Sequence, residues 1–248
     1  MSTLIRDYER FAKEANEICK GRVYTDHLRR YAYGVDASCY SYLPKVVVKA
    51  EDEREVRRLI RLCQQCGTPF TFRAAGSSLS GQCSSEDVLI VCNDGFKKME
   101  VIDDGKALKC ECGVIGSDAN DLLKPYNRKI GPDPATLATA LVGGILNNNS
   151  SGMCCGTAQN SYKTIRSIRV VLLDGSILDT SDQKSIDQFL KEKPQMVEDI
   201  LQLRKDILAD EELTHLIHHK YKIKNTTGYG LNSLVDFEDI IDIINHLF

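Results

Sequence analysis

The chain has 248 residues, of which 42% are hydrophobic and 27% charged, and its formal net charge is −3. That length buries a core without disulfide or metal staples, and no apolar run is long enough to span a bilayer. Lys and Arg are scattered among Asp and Glu with no basic stripe, so no nucleic-acid partner is expected. The opening residues carry Arg6, Asp7 and Glu9 where a secretory signal would place a basic tip and an apolar core, so a cytoplasmic location is expected. The ten cysteines fall mostly inside expected strands and helices, where a thiol behaves as a small buried hydrophobe; they are expected to be reduced.

In chain order, Leu4, Ile5, Tyr8, Phe11, Ala12, Ala15, Ile18 and Cys19 recur at three- and four-residue intervals before Gly21, which predicts an amphipathic helix over 3–20. An irregular tyrosine- and arginine-rich stretch, Val23 to Leu43, then leads through Pro44 to the β-rich run Val46-Val47-Val48. Pattern alone assigns that stretch no role. From Glu51 to Cys66, Val56, Leu59, Ile60 and Cys63 repeat at helical spacing, with acidic residues in the first turn and Gly67 at the end, which predicts a second helix. Strands are expected at Pro69–Arg73, Val88–Cys92 and Ala107–Cys112, the last after the turn Asp103-Asp104-Gly105. Ile165 to Leu173 reads as a strand closed by the Asp174-Gly175 hairpin signal, with Ile177 and Leu178 returning antiparallel. Lys184 to Lys222 reads as two or three helices, with Pro194 in a first turn, and Leu234 to Leu247 as one amphipathic helix. The expected organisation is a lead-in over 1–43, a first subdomain over 44–130 and a second over 131–248, divided in the loop around Asn127–Pro132.

Two segments carry chemistry. After the strand ending at Arg73, every residue from Ala74 to Gly81 except Leu79 is glycine, alanine or serine. Without bulky side chains the backbone turns tightly enough for successive N–H groups to converge on a phosphate, while Ser77, Ser78 and Ser80 add hydroxyls. The bland alternative is a tight surface turn, and neither the three-glycine dinucleotide fingerprint nor a Gly-Lys-Ser/Thr phosphate loop is present. The second segment holds Gly131-Pro132-Asp133-Pro134-Ala135-Thr136, then Ala140, Gly143, Gly144 and Asn147-Asn148-Asn149-Ser150-Ser151-Gly152. Paired glycines let a flat ring or ribose pack on the main chain, and the asparagines offer uncharged donors and acceptors. Its bland alternative is a glycine-kinked helix with an asparagine-rich cap.

In this order the two segments resemble a known family. Arg73 to Gly81 resembles the pyrophosphate loop of the vanillyl-alcohol oxidase, or p-cresol methylhydroxylase, type of FAD-binding domain. Gly143 to Gly152 resembles its second FAD loop, and Pro132-Asp133-Pro134-Ala135 the motif before it. Tyr33-Gly34-Val35-Asp36-Ala37-Ser38, Ile168 to Gly175 and Asn225 to Leu231 extend the likeness over most of the chain. Within the family the set is most similar to the D-lactate dehydrogenase and glycolate oxidase branch, particularly its long members fused to iron–sulfur modules. The resemblance implies an α+β fold, a two-subdomain FAD-binding domain with the pyrophosphate held between subdomains.

It further implies noncovalent FAD with Ala74, Ala75, Gly76, Ser77, Ser78 and Gly81 on the pyrophosphate, lined by Arg73 and Leu79. Pro132, Asp133, Ala140, Gly143, Gly144, Asn148, Ser150 and Gly152 would line the flavin and ribose, and Ile168 and Val170 would reach the adenine side through their main chain. The implied activity is oxidation of a 2-hydroxy acid of the D-lactate, glycolate or 2-hydroxyglutarate type, with electrons leaving to a quinone or an iron–sulfur partner. The alternatives are a UDP-sugar reductase or alcohol oxidase of the same fold, or a non-catalytic nucleotide-binding fragment. The family continues beyond the Gly228-Tyr229 motif into a Gly-Ser-Glu-Gly-Thr segment, so the domain is expected to be truncated at its C-terminal end. Catalytic residues and any iron–sulfur cluster would then lie past residue 248. Peripheral association with the inner face of a membrane is compatible with this branch.

Other polar clusters read as structural. His215 and His219 stand four apart, a zinc-compatible spacing, but a solvated helix face is the simpler reading because a site needs more ligands. Cys63-Gln64-Gln65-Cys66 ends a helix and lacks a second pair, which favours buried thiols over a dithiol centre. Cys154 and Cys155 read as free thiols, since a vicinal disulfide is strained. No residue is expected to bind a metal.

Overall fold

The structure is a computed structural model that describes residues 6–225 and 229–247. It divides into two compact units. The first comprises residues up to 130 with 136–144 and 173–176, and the second 131–135, 145–172 and 177–247 of the described chain.

The first unit is built on a sheet whose centre is apolar because the local sequence is. β2 (Val46–Lys49) and β4 (Val88–Val91) lie side by side in parallel, Val46 opposite Val88 and Lys49 opposite Val91, and all four residues of β4 are buried. Such continuous apolar strands belong to sheets covered on both faces. β3 (Phe70–Arg73) pairs in parallel with the other side of β4, and the two-residue β1 (Val23–Tyr24) runs antiparallel to β2, giving the order β1-β2-β4-β3.

α1 (Tyr8–Ile18) and α3 (Glu53–Cys66) pack together. Helix α3 forms as its sequence predicts: the Asp52 carboxylate accepts the Glu55 N–H at 2.8 Å, and Val56, Leu59, Ile60 and Cys63 form one buried stripe. Gly67 closes it in the left-handed conformation at φ +64°. The helix expected over 3–20 is found at Tyr8–Ile18 with Asp7 as its cap; Leu4 and Ile5 lie outside the described residues. Within the stretch that pattern left unassigned, Asp26 caps a helix α2 (His27–Tyr33). A hairpin of β5 (Met99–Ile102) and β6 (Ala107–Cys110) turns through Asp103 and Asp104, both at positive φ. α4 (Gly116–Leu123) follows, and α5 (Val142–Asn147) begins in the first unit and ends in the second.

In the second unit a single helical turn, α6 (Ser161–Thr164), precedes the antiparallel hairpin β7 (Arg169–Val171) and β8 (Ile177–Asp179). The strand expected over 165–173 is therefore shorter: Ile168 lies before it, and both its main-chain groups go to Thr180, whose hydroxyl accepts the Ile168 N–H at 2.8 Å. Three helices follow as the periodicity predicts, α7 (Gln183–Glu192), α8 (Pro194–Ala209) and α9 (Glu211–Lys220).

The single helix expected over 234–247 is instead two, α10 (Ser233–Asp236) and α11 (Ile240–His246). Phe237 between them is extended, its carbonyl accepting from Arg204 Nε at 2.8 Å and its ring stacked on His246 at 4.3 Å, while Asp239 caps α11. Ile168, Leu178, Phe189 and Ile244 form one core of this unit, and Ile207, Ile217, Leu234 and Ile243 the other. Among the described residues no helix is long and apolar enough to cross a membrane.

Leu59 has 0% exposure, so Leu59→Ala leaves a cavity where α3 is buried. The expected cost is about 2–5 kcal/mol, read in urea as a lower midpoint with an unchanged slope.

Candidate functional site

The small-residue loop leaves the carboxyl end of β3 and carries the chain to the start of β4 without a helix. Carboxyl ends of parallel strands are where open α/β sheets place their ligands. At Gly76 the backbone has φ +75°, and a Cβ there would lie 2.3 Å from Arg73 Nη2; glycine closes this turn without the strain another residue would carry. Gly81, also at positive φ, sits against the Tyr40 ring in the same way. Among the described residues no protein acceptor stands against the backbone N–H groups of Ala75, Gly76 and Ser77. Successive N–H groups of that kind form an anion-binding concavity. Ser78 Oγ is engaged within the loop, donating to Gln82 and accepting from the Ser80 N–H, and Leu79 is 77% exposed.

The loop is braced from the lead-in. Tyr33 packs with Tyr24 on the core of Val47, Leu89 and Val91, which fixes the segment after α2. Arg73 donates from Nη1 to the Tyr33 carbonyl at 3.0 Å and from Nη2 to the Val35 carbonyl at 2.9 Å. The Ala37 N–H donates to the Gly76 carbonyl at 3.0 Å. One residue earlier, the Asp36 carboxylate accepts from Ser84 Oγ at 3.0 Å and Cys83 Sγ at 3.2 Å, tying the far end of the loop to the same segment. Sequence reasoning missed these residues as contributors: three of the contacts use main-chain carbonyls or N–H groups, which leave no residue-type signal.

Part of the second segment joins the first within the same unit. Gly143 donates its N–H to the Cys112 carbonyl at 2.9 Å, and a Cβ on it would come within 2.6 Å of Cys112 Cβ. A Cβ on Gly144 would meet the Ala74 side chain at 3.5 Å. The structure thus sets Gly144 beside the first residue of the small-residue loop, with Ala140 buried in the segment before it. This cradle of small side chains fits a diphosphate, which needs close main-chain approach and N–H donors.

Pro132, Asp133, Asn148, Ser150, Gly152, Ile168 and Val170 fall in the second unit. Asp133 there organises a turn: its carboxylate accepts the N–H groups of Cys155 at 3.1 Å and Cys154 at 3.2 Å, and its carbonyl leaves no room for a Cβ on Gly152. Asn149, at φ +41°, accepts the Tyr162 N–H at 3.0 Å, and Ser150 donates to the Ile145 carbonyl. Val170 pairs with Leu178. Also in this unit, Asn149, Asn160, Tyr162, Lys163, Tyr221 and Asp236 border a polar cleft of about 200 Å³, where Tyr162 donates to Asp236 at 2.7 Å.

Cys63 and Cys66 are buried in α3, and desolvation pushes the Cys63 thiol up to about 12, which keeps it protonated. Cys154 and Cys155 are free thiols. His215 and His219 lie on α9, and among the described residues no group of three His, Cys, Asp or Glu could hold a metal.

A family model described as an FAD binding domain matches residues 44–181. The chain is 28% identical over 164 residues to D-2-hydroxyglutarate dehydrogenase of Escherichia coli strain K12, covering 64% of this chain and 16% of that protein. It is 26% identical to glycolate oxidase subunit GlcD of Bacillus subtilis strain 168, covering 64% of this chain and 34% of that one. The chain thus spans only a minor part of the relatives it matches. Among solved structures, substrate-bound p-cresol methylhydroxylase aligns with a TM-score of 0.58 at 16% identity, covering 69% of this chain and 35% of that one, which establishes a shared fold.

The hydrogen bond of the Cys155 side chain, with the N–H groups of Cys155 and Cys154, lowers Asp133 from 3.8 to about 2. A carboxyl depressed in the folded state stabilises above its unfolded value, and that contribution is lost as pH falls through the folded one. Asp133→Ala is therefore expected to lower the melting temperature at neutral pH, and its gap from wild type should shrink between 3.8 and about 2, measured by thermal melts across acid pH.

Proposed function

We infer, because this chain belongs to the FAD binding domain family, that it is the FAD-binding portion of a flavin-dependent oxidoreductase acting on a small 2-hydroxy acid. The observation that carries the cofactor half is the loop after β3, with its N–H groups at Ala75, Gly76 and Ser77 and its closure at Gly76. In this reading Ala74 to Ser78 and Gly81 meet the pyrophosphate, Leu79 flanks them, and Ala140, Gly143 and Gly144 form the adjoining wall. When bound, FAD supplies the electron acceptor for oxidation of the substrate carbon that bears the hydroxyl. This chain's own groups bind and orient the diphosphate through main-chain donors. A quinone or an iron–sulfur partner would serve as the final acceptor.

The substrate half is supported by the relatives: among those matched are a D-2-hydroxyglutarate dehydrogenase and a glycolate oxidase subunit, and each name carries a 2-hydroxy acid. Fold by itself does not select the substrate, because one cofactor fold hosts many chemistries.

Titrating the chain with FAD by fluorescence polarisation, with FMN, NAD and UDP as competitors, tests the cofactor half. Saturable binding that FMN does not match, abolished in a folded Gly76→Leu variant, is the expected result. No binding by the folded wild-type chain, or equal binding of FMN, would refute it. For the substrate half, anaerobic addition of D-2-hydroxyglutarate, glycolate or D-lactate to the FAD-loaded full-length protein is expected to bleach the oxidised-flavin absorbance with one of the three. Bleaching by none of them removes the 2-hydroxy-acid reading.

A further inference from the structure

We propose that Arg73 is a positioning residue that sets the shape of the pyrophosphate cradle and lends no charge to the anion held there, a reading that rests on the cofactor assignment above. From Ala74 to Gly81 the loop has no lysine or arginine, so Arg73 is the nearest cation in sequence and the obvious candidate to pair with a phosphate. Its geometry assigns it differently. Nη1 and Nη2 each donate to a separate carbonyl, those of Tyr33 and Val35, two residues apart. The guanidinium lies 5.8 Å from the centroid of the Tyr33 ring.

Both acceptors are held in place. Tyr33 packs on the sheet core, Gly34 is bonded to Tyr31 and Tyr42 through its N–H and carbonyl, and Val35 bridges to Ser41. The turn at Gly76 passes close to the same guanidinium, where a Cβ would meet Nη2 at 2.3 Å. The carbonyl of Gly76 takes the Ala37 N–H, from the same lead-in. Arg73 therefore sits between the lead-in and the turn as the template over which the loop closes. A planar fork bridges two carbonyls in fixed directions; an ammonium cannot. The anion's partners are then main-chain dipoles, and the cradle recognises a diphosphate by shape and N–H direction.

The test uses the chain as it stands, with FAD as the probe, in wild type, Arg73→Lys and Arg73→Met, titrated over a range of salt concentrations. Loss of a charge-assisted hydrogen-bond pair is expected to weaken FAD binding by about tenfold or more. The loss should be equal in Arg73→Lys and Arg73→Met, because charge without the fork does not rebuild the template. The dependence of affinity on salt should be the same in all three proteins, since no screened ion pair has been removed. Wild-type affinity in Arg73→Lys, or a flatter salt dependence in Arg73→Met, would overturn the proposal and make Arg73 a phosphate ligand.

Amide exchange without FAD supplies a readout independent of the cofactor. The Ala37 amide should exchange faster in both variants while the Leu89 amide keeps its protection; unchanged protection at Ala37 would also overturn the proposal. If the folded wild-type chain binds no FAD, the cofactor reading falls, and the Ala37 exchange still decides whether Arg73 shapes the loop.

Discussion

Much of the first unit follows from one topological constraint: β3 and β4 are parallel neighbours, so the chain leaving Arg73 must return the length of the sheet before Val88. Parallel connections normally achieve this with a helix, which satisfies its own backbone. Here the return from Ala74 to Asp87 contains none, and its polar main-chain groups need partners from elsewhere. One comes from the lead-in, the Ala37 N–H donating to the Gly76 carbonyl, and the Asp36 carboxylate holds the Ser84 hydroxyl beside it. Among the described residues the N–H groups of Ala75, Gly76 and Ser77 take no such partner, the feature on which the proposed anion site rests.

What the sequence shows and what it hides follow from the kind of group each role uses. Gly76, Gly81, Gly143 and Gly144 are legible because a missing side chain is itself the signal, and in each case a Cβ would touch or collide with a neighbour. The amphipathic stripe of α3 and its Asp52 cap are legible for the same local reason. The lead-in is not, since its contribution is made by the carbonyls of Tyr33 and Val35 and the N–H of Ala37, groups every such residue carries. The break at Phe237 was likewise hidden. It depends on Arg204 and on His246, partners that a periodic pattern over 234–247 does not weigh.

Asp133 has a conspicuous motif and also a local structural role. An acidic side chain between two prolines, in a segment resembling a cofactor loop, suggests a ligand-facing carboxylate. In the second unit that carboxylate serves the N–H groups of Cys154 and Cys155. Two motifs that read alike in sequence therefore work differently. Among the described residues the loop after β3 has N–H groups with no protein acceptor, whereas the turn around Asp133 supplies acceptors to its own N–H groups.

The most direct test of the central claim, that main-chain N–H groups after β3 hold the diphosphate of FAD, is chemical-shift mapping of the nitrogen-labelled chain on addition of FAD. The account predicts that the largest amide shifts fall on Ala75, Gly76 and Ser77, with smaller ones at Gly143 and Gly144. FAD binding that left these amides unmoved, and shifted instead those around Tyr162 and Asp236, would contradict it.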